Sequence, residues 1–391
     1  MKWNKKGHEF DREAEKILSI PKICEKCYIF GAGVLGKELL ITLRAYNYTV
    51  IFLDNSIEKQ GTKVEGREVI SLDDYMQEKD APIIIAASIV NTPLIIEQLK
   101  RYSLKLNTDF WVYSDFINYI FPIVSLYYHD KLFVALAQIS LTERCTLNCK
   151  KCAHGCFAVD KTTTMDLTVE QVYKSADSFF AKVDYIKEFV LIGGEPLLYK
   201  ELEQAITYIG EKYRNQIGVF SITTNGTIIP SEGVLETCRK YNVLIRISNY
   251  AKQIPRLKEK YIRLKEVLEK REVAYVLGRE EREWTDYGFD YVDRKGAEEE
   301  LIGVFDACKT PCREVRENKF YYCVMARSVS DNLNYHIGEK DYLDLDELDQ
   351  KKVLLEFTLG YSEKGYLDMC NYCNGVEARN YPIPAAEQME R

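Results

Sequence analysis

Several things are missing from this 391-residue sequence, and each absence narrows the choice of function. No stretch of about 18 apolar residues occurs, so no membrane-spanning helix is expected. Basic residues are not in excess: 53 Lys and Arg against 60 Asp and Glu leave a formal charge of −7. Neutralising phosphates requires clustered Lys and Arg, so the charge argues against a nucleic-acid partner. The short basic stretch Arg256–Lys260 includes Glu259 and reads as a solvated helix face. Internal repeats and low-complexity tracts are absent as well. The opening Met1-Lys2-Trp3-Asn4-Lys5-Lys6 lacks the apolar core of a signal peptide, and a cytoplasmic location is expected.

Cysteine, by contrast, is abundant: 12 residues, nine of them in two groups, Cys145–Cys156 and Cys308–Cys373. A cytoplasmic protein keeps its thiols reduced, and clustered reduced thiols indicate metal. The rest of the composition, 46% hydrophobic and 29% charged, is that of a globular protein.

The length favours two or three domains. After an extension, 1–23, residues 24–115 read as the first. There the buried strand Tyr28-Ile29-Phe30 leads into Gly31-Ala32-Gly33-Val34-Leu35-Gly36, a helical stretch Lys37–Ala45 and the strand Thr49–Leu53, which ends at Asp54. Pro82–Ala87 reads as a third, fully buried strand. Such alternation predicts a parallel, doubly wound α/β sheet. Residues 116–135 are apolar and aromatic, are interrupted by Asn118, and read as a buried connector or linker.

In 136–278, strands are expected at Ala137–Leu141, Glu188–Ile192, Gly218–Thr223, Val243–Ser248 and Val273–Leu277. Thr168 and Gln171 form a capping box, and Leu257, Tyr261, Leu264 and Leu268 an apolar helix stripe. Repeated βα units imply a complete or partial α/β barrel, reactive at the C-terminal ends of its strands. Residues 279–391 are more irregular. Asp341–Leu355 reads as a surface helix whose solvated first turn holds Asp344, Asp346, Glu347 and Asp349; these lack the Gly turn and spacing of a calcium loop.

The run Cys145-Thr146-Leu147-Asn148-Cys149-Lys150-Lys151-Cys152 has C-x3-C-x2-C spacing just past a strand end. Three thiolates on so short a loop can cap three irons of a cubane cluster, leaving the fourth iron open to a small molecule. Zinc on four thiolates, with Cys156 as the fourth, is the alternative. Cys156 reads as a loop thiol and His154 as a bystander.

The triad resembles the signature of the radical S-adenosylmethionine (SAM) superfamily, and two more motifs stand where that family has them. Gly193-Gly194-Glu195-Pro196 follows the second strand and resembles the family's GGEP segment. The resemblance implies that its glycines let backbone approach the methionyl end of SAM, and that Glu195 accepts the SAM ammonium group. Thr223-Thr224-Asn225-Gly226-Thr227 is similar to the segment beside the ribose, which makes Thr224 and Asn225 SAM-binding residues, and Ser248 matches a position that contacts SAM. Lys151 departs from the pattern, standing where the family usually has an aromatic residue against adenine.

What the resemblance implies is a partial (β/α)6 barrel, a [4Fe-4S] cluster on Cys145, Cys149 and Cys152, and an electron donor such as flavodoxin or ferredoxin. The reaction implied is cleavage of SAM to a 5′-deoxyadenosyl radical that takes hydrogen from an unactivated C–H bond.

Cys308, Cys312, Cys323, Cys370 and Cys373 resemble the SPASM or twitch extensions of the same family. Fourteen residues separate Cys308 from Cys323, and Cys370-Asn371-Tyr372-Cys373 closes the set as C-x2-C. Asn318 stands at the glycine position of that pattern, and Asn tolerates a left-handed backbone. Five cysteines are fewer than the seven of a full SPASM domain. They imply a small Fe–S twitch domain with one auxiliary [4Fe-4S] cluster on Cys308, Cys323, Cys370 and Cys373, with Cys312 able to replace Cys308. A zinc ribbon is the alternative.

Gly31, Gly33 and Gly36 follow a strand and open a helix, and Asp54 ends the next strand: the context of a nucleotide site. The turn lets a phosphate meet the helix N-terminus, and Asp54 would bind a ribose hydroxyl. About ninety residues are too few for a full dinucleotide fold, so one nucleotide half is expected. A purely structural glycine turn is the alternative. The run Phe30–Ser71, with Phe52-Leu53-Asp54-Asn55 and Gln60-Gly61-Thr62, resembles small Rossmann-like domains of bacterial polysaccharide and sugar-nucleotide enzymes. Cys24 and Cys27, with no partner pair nearby, read as structural.

Together these readings predict a radical SAM enzyme that takes hydrogen from a nucleotide-activated sugar or polyol. Oxidation, dehydration or epimerisation would follow, in surface polysaccharide biosynthesis. A radical SAM peptide maturase is one rival, opposed by the glycine-rich βαβ pattern. A non-catalytic Fe–S or redox-sensing protein is the other, opposed by the intact triad, Glu195 and Thr224-Asn225-Gly226. Tyr275, Trp284, Tyr287 and Arg327 are further pocket candidates that no sequence signal separates from packing residues.

Overall fold

The structure, a computed structural model, describes residues 9–160, 162, 164, 166–281, 283–288, 295–335, 337–360, 364–376 and 381–389. The chain divides into two compact units, 6–133 and 134–391.

The first unit is built on a six-stranded sheet of β1 (Lys26–Phe30), β2 (Thr49–Leu53), β3 (Lys63–Val64), β4 (Arg67–Ile70), β5 (Ile83–Ile85) and β6 (Phe110–Val112). Their order is β3-β4-β2-β1-β5-β6, parallel throughout except for the β3–β4 hairpin. Strand order reverses at β1, and open parallel sheets form their ligand crevice at such a reversal, beyond the strands' carboxyl ends. Tyr28, Phe30, Leu53, Ile83, Ile85, Leu99 and Phe110 fill the core. Ser71 and Asp74 cap the helix Leu72–Glu78 reciprocally.

Residues 116–133 of the expected connector pack into this unit. A π-helical turn, Phe116–Ile120, runs into the helix Phe121–His129. Phe121 meets Tyr46 edge-on, ring centroids 4.9 Å apart, and Ser125 Oγ lies 2.8 Å from Tyr46 Oη. Within the expected N-terminal extension, the helix Glu9–Leu18 packs on Phe121–His129.

The second unit holds β7 (Phe133–Ser140), β8 (Tyr185–Ile192), β9 (Ile217–Thr224), β10 (Val243–Ile247), β11 (Tyr275–Leu277), β12 (Glu283–Thr285), β13 (Arg313–Arg316), β14 (Lys319–Tyr321), β15 (Tyr342–Asp344) and β16 (Pro382–Pro384). Eight of them form one mixed sheet, ordered β11-β10-β9-β8-β7-β13-β14-β15. β8 to β11 are parallel, and β13 runs parallel to β7. The near-continuous burial of β7 and β8 is that of parallel strands covered on both faces.

Three expectations change here. Residues 279–391 do not stand wholly apart, because β13, β14 and β15 extend the sheet that begins with β7. Asp341–Leu355 is not one helix: β15 pairs with β14, and the helix is Lys351–Thr358. The reason is Asn318, whose Nδ2 donates to both Asp344 oxygens at 2.7 Å while Leu345 N donates to its carbonyl, fixing that segment as a strand and turn. In the β13–β14 turn the left-handed residue is Glu317 (φ 53°), not Asn318.

Candidate active site and cysteine sites

The expected SAM residues gather at the carboxyl ends of β7 to β10. The GGEP turn lies directly against the segment leading into the cysteine loop. Gly194 N donates to Thr142 O at 2.7 Å and Glu195 N to Arg144 O at 2.8 Å. Gly193 has φ +155°, and a Cβ there would strike Thr142 backbone; one at Gly194 would strike Arg144 backbone. The glycines therefore let two loops touch through main chain.

Glu195 is fully buried, and its carboxylate is occupied. Oε1 accepts from Thr224 Oγ1 (2.7 Å) and Leu197 N (3.1 Å), and Oε2 from Asn225 N (2.8 Å). Instead of pointing into open space to meet an ammonium group, this side chain ties the β8 loop to the β9 loop. Asn225 then reaches the cysteine loop, its Nδ2 donating to Thr146 Oγ1 (3.1 Å) and, at 3.6 Å, to Cys145 Sγ. Ser248 N donates to Thr224 O at 2.8 Å. Beyond it lies a small cavity lined by Asn249, Tyr250, Gln253, Glu280 and Pro384. Trp284 stands edge-on to Tyr250, whereas Tyr275 donates to Glu269.

Burial pushes the Glu195 carboxyl up to about 7, against three hydrogen bonds that favour the anion. A folded value above the unfolded one means that the folded state binds more protons, so this group's contribution to stability falls as pH rises from about 4.5 through about 7. In Glu195→Gln one acceptor faces three donors, at a cost of about 1–3 kcal/mol. Urea denaturation at pH 5 and pH 8 is expected to show the wild-type advantage shrinking at the higher pH.

The cysteine loop is held by residues far away in sequence. Gln388 Nε2 donates to Cys149 Sγ at 3.1 Å, Asn148 N to Gln388 Oε1 at 2.9 Å, and Lys150 N to Glu387 O at 2.7 Å. Lys151 donates to Gly288 O and lies 3.5 Å from Asp286, and Gly288 bridges to Cys373 of the second cysteine group. Donation from the Cys156 thiol, with help from His154, pulls the Cys152 thiol below its ordinary value despite burial, while the Cys156 thiol is pushed up.

Behind this loop is a buried charge network that the sequence did not reveal. Arg327, 1% exposed, donates Nε to Glu314 Oε1 and Nη1 to Glu143 Oε1, both at 2.6 Å. Gln138 caps Glu314 (3.0 Å) and Asn332 caps Glu143 (3.0 Å). His154 Nδ1 lies 3.4 Å from both Ser140 Oγ and Ser328 Oγ, and Asn332 donates to the His154 carbonyl at 2.6 Å. Arg327 lies in a π-helical turn, Met325–Val329, a feature frequent at functional sites.

Cys308, Cys323, Cys370 and Cys373 line one pocket with Thr310 and Tyr322, and Cys312 is not among its lining residues. Gly375 N donates to Cys373 Sγ (3.3 Å) and Val376 N to Cys308 Sγ (3.2 Å). Among the described residues no His, Cys, Asp or Glu group is gathered closely enough to hold a single metal ion. The four thiols surround a space instead.

In the first unit, Gly31 (φ +120°) presses on Ala86 backbone and Gly36 on the Gly31 carbonyl, whereas a Cβ at Gly33 would meet nothing within 4 Å. Asp54 closes the loop, accepting from Ala32 N and Ser56 N at 3.0 Å and Lys59 Nζ at 2.9 Å. Partial burial opposes its charge, but these donors outweigh it and hold the carboxyl below its usual value. Cys27 is fully buried in β1 and Cys24 nearly so.

These features define an α/β protein with a three-thiol loop and its GGEP and TTNG neighbours at the carboxyl ends of parallel strands. Residues 139–272 match the family model of the radical SAM superfamily. The chain is similar to the GTP 3′,8-cyclase of Rhizobium leguminosarum bv. trifolii (strain WSM2304), 32% identical over 95 residues, 24% of this chain and 26% of that one. It is 34% identical over 91 residues to the GTP 3′,8-cyclase of Syntrophomonas wolfei subsp. wolfei, 23% of this chain and 27% of that one. The chain thus spans about a quarter of the length of the curated relatives it matches. Among solved structures it is similar to BtrN in complex with AdoMet and 2-DOIA, at 15% identity over 64% of this chain and 98% of that one, TM-score 0.37. Streptococcus suis SuiB bound to S-adenosylmethionine is similar at 16% identity over 49% and 45%, TM-score 0.29. No helix among the described residues is long and apolar enough to cross a membrane.

Proposed function

We propose that the chain is a radical SAM enzyme taking hydrogen from a nucleotide-activated sugar or polyol, with oxidation, dehydration or epimerisation at the carbinol carbon. In this reading the β7–β11 sheet is a partial (β/α)6 barrel, and residues 279–391 contribute a twitch-type auxiliary cluster site. The observation that supports the substrate class is the polar lining of the cavity beyond Ser248, where Asn249, Tyr250, Gln253 and Glu280 stand. A lining with such donors and acceptors suits a hydroxylated substrate better than an apolar one. The loop around Gly33 suits a nucleotide handle, and the curated relatives are named for a nucleotide substrate, GTP.

The donor set fits a cluster. Cys145, Cys149 and Cys152 would hold the SAM-binding [4Fe-4S] group, and Asn225 and Gln388 already donate to two of the sulfurs. When bound, that group supplies the electron that splits SAM into methionine and a 5′-deoxyadenosyl radical. The chain's own residues orient and shield the site. Glu195 ties the β8 loop to the β9 loop, and Arg327 holds Glu143 ionised against its burial behind the cysteine loop.

The test is 5′-deoxyadenosine formation by anaerobically reconstituted, reduced protein against a panel of nucleotide sugars and polyols. Strong stimulation by one member is expected, and abolition in Cys149→Ala. Uniform background cleavage across the panel would reject the tested substrates and favour a peptide. No cleavage with both clusters loaded would favour a non-catalytic protein.

A further inference from the structure

We propose that Arg313 raises the reduction potential of the auxiliary cluster by holding a permanent positive charge beside it. This rests on the reading that Cys308, Cys323, Cys370 and Cys373 carry such a cluster.

Two arginines of the second unit are deeply buried, and they are treated differently. Arg327 is neutralised by two carboxylates. Arg313, 7% exposed, has only neutral partners. Its Nη1 donates to Thr310 O and Tyr322 O at 2.9 Å and its Nη2 to Thr358 O at 2.7 Å. The guanidinium carbon sits 4.0 Å over the Tyr322 ring, and Nε is buried without an acceptor. Among the described residues no carboxylate pairs with it. A buried cation without a counter-charge is costly, so something negative is expected within reach.

The neighbours that fit are sulfur atoms. Cys323, Cys312 and Cys308 are its electrostatic partners, and Thr310 and Tyr322, whose carbonyls it grips, line the cavity of the four cysteines. Burial pulls the guanidinium down to about 10, so it stays charged near neutral pH. Four thiolates around a [4Fe-4S] core make a group that is negative when oxidised and more negative by one electron when reduced. The counter-charge therefore arrives with the cluster, and the cation favours the reduced form.

The test isolates the auxiliary cluster in the full chain by combining Cys145→Ala, Cys149→Ala and Cys152→Ala. Iron is counted, and the midpoint is read by EPR during dithionite titration. In this background Arg313→Gln is expected to lower the reduced-to-oxidised ratio at fixed poise about tenfold, about 59 mV for a one-electron couple, whereas Arg313→Lys keeps it near the parent value. An unchanged midpoint in a fully loaded Arg313→Gln protein would overturn the proposal. Should Arg313→Gln fail to load iron, Arg313→His decides: its midpoint is expected to fall more steeply than the parent's as pH rises through the imidazole's titration, and a pH response equal to the parent's would overturn the proposal. Absence of iron from the parent triple variant would instead overturn the auxiliary-cluster reading itself.

Discussion

Replacing Gly194 with alanine is expected to cost about a hundredfold in 5′-deoxyadenosine formation and to strip iron from the Cys145–Cys152 loop. The added methyl would sit 2.6 Å from the Arg144 carbonyl carbon and 2.9 Å from the Glu143 oxygen, and closer still to the Arg144 oxygen. All three are backbone atoms, so no side chain can swing aside. Nor can the segment drift: Thr142 Oγ1 donates to Asp166 (2.6 Å), and Arg144 holds both Asp166 and Leu198 O. The strain must open the contacts of Gly194 N with Thr142 O and of Glu195 N with Arg144 O, and Cys145 is the next residue.

Overpacking of this kind costs about 1–3 kcal/mol of stability. A displacement of about 1 Å at a reacting centre costs about 10²-fold in rate. Activity should therefore fall much further than stability. Gly33→Ala is the control, since its Cβ would enter open space and φ there is −106°. It should leave the denaturation midpoint unchanged. Equal iron and equal 5′-deoxyadenosine formation in Gly194→Ala and wild type would show that the tight loop contact does not position the cysteines.

The contrast between those two glycines also shows what the sequence could and could not convey. The cysteine triad, GGEP and TTNG were legible because each is a short run with fixed spacing at a strand end, and local periodicity located the strands. The reason for each glycine was only half legible: close approach was foreseen, but toward a ligand, whereas Gly193 and Gly194 are needed first for contact with Thr142 and Arg144. Contacts across long stretches of chain were invisible, because one sequence carries no pairing information. Gln388 on Cys149 and Arg327 on Glu143 join positions 239 and 184 residues apart. β13 escaped notice because Arg313-Glu314-Val315-Arg316 has no apolar alternation; its buried Glu314 is held by Arg327 and Gln138, and its Arg313 by backbone carbonyls. Asn318 was assigned a backbone role when its side chain does the work, holding Asp344 and turning an expected helix into β15.

The largest loss of stability is expected for Arg327→Met. Removing one member of a buried ion pair leaves uncompensated charge and costs about 3–5 kcal/mol, and here two buried acids lose the same partner. The pH dependence should change sign as well. In the wild type, burial works against the Glu143 anion but Arg327 prevails, so its carboxyl titrates below the ordinary value. Stability from this group is therefore present above the unfolded value and lost as pH falls through the lower folded one. Without Arg327, burial is opposed only by His154 and the Asn332 hydrogen bond, and the Glu143 carboxyl rises above its unfolded value. The folded variant then binds more protons than the unfolded chain, and its stability falls as pH rises. Urea denaturation should show a larger deficit at pH 8 than at pH 5. Arg327→Lys should recover little, because a single ammonium cannot reproduce the fork that serves Glu314 through Nε and Glu143 through Nη1. Adding Glu143→Gln and Glu314→Gln to Arg327→Met should restore stability, since removing all the charges together leaves none stranded. Activity is not expected to follow, because the restored fold would lack the buried charges behind the cysteine loop. A triple variant as stable as wild type and equally active would show that the network serves folding alone.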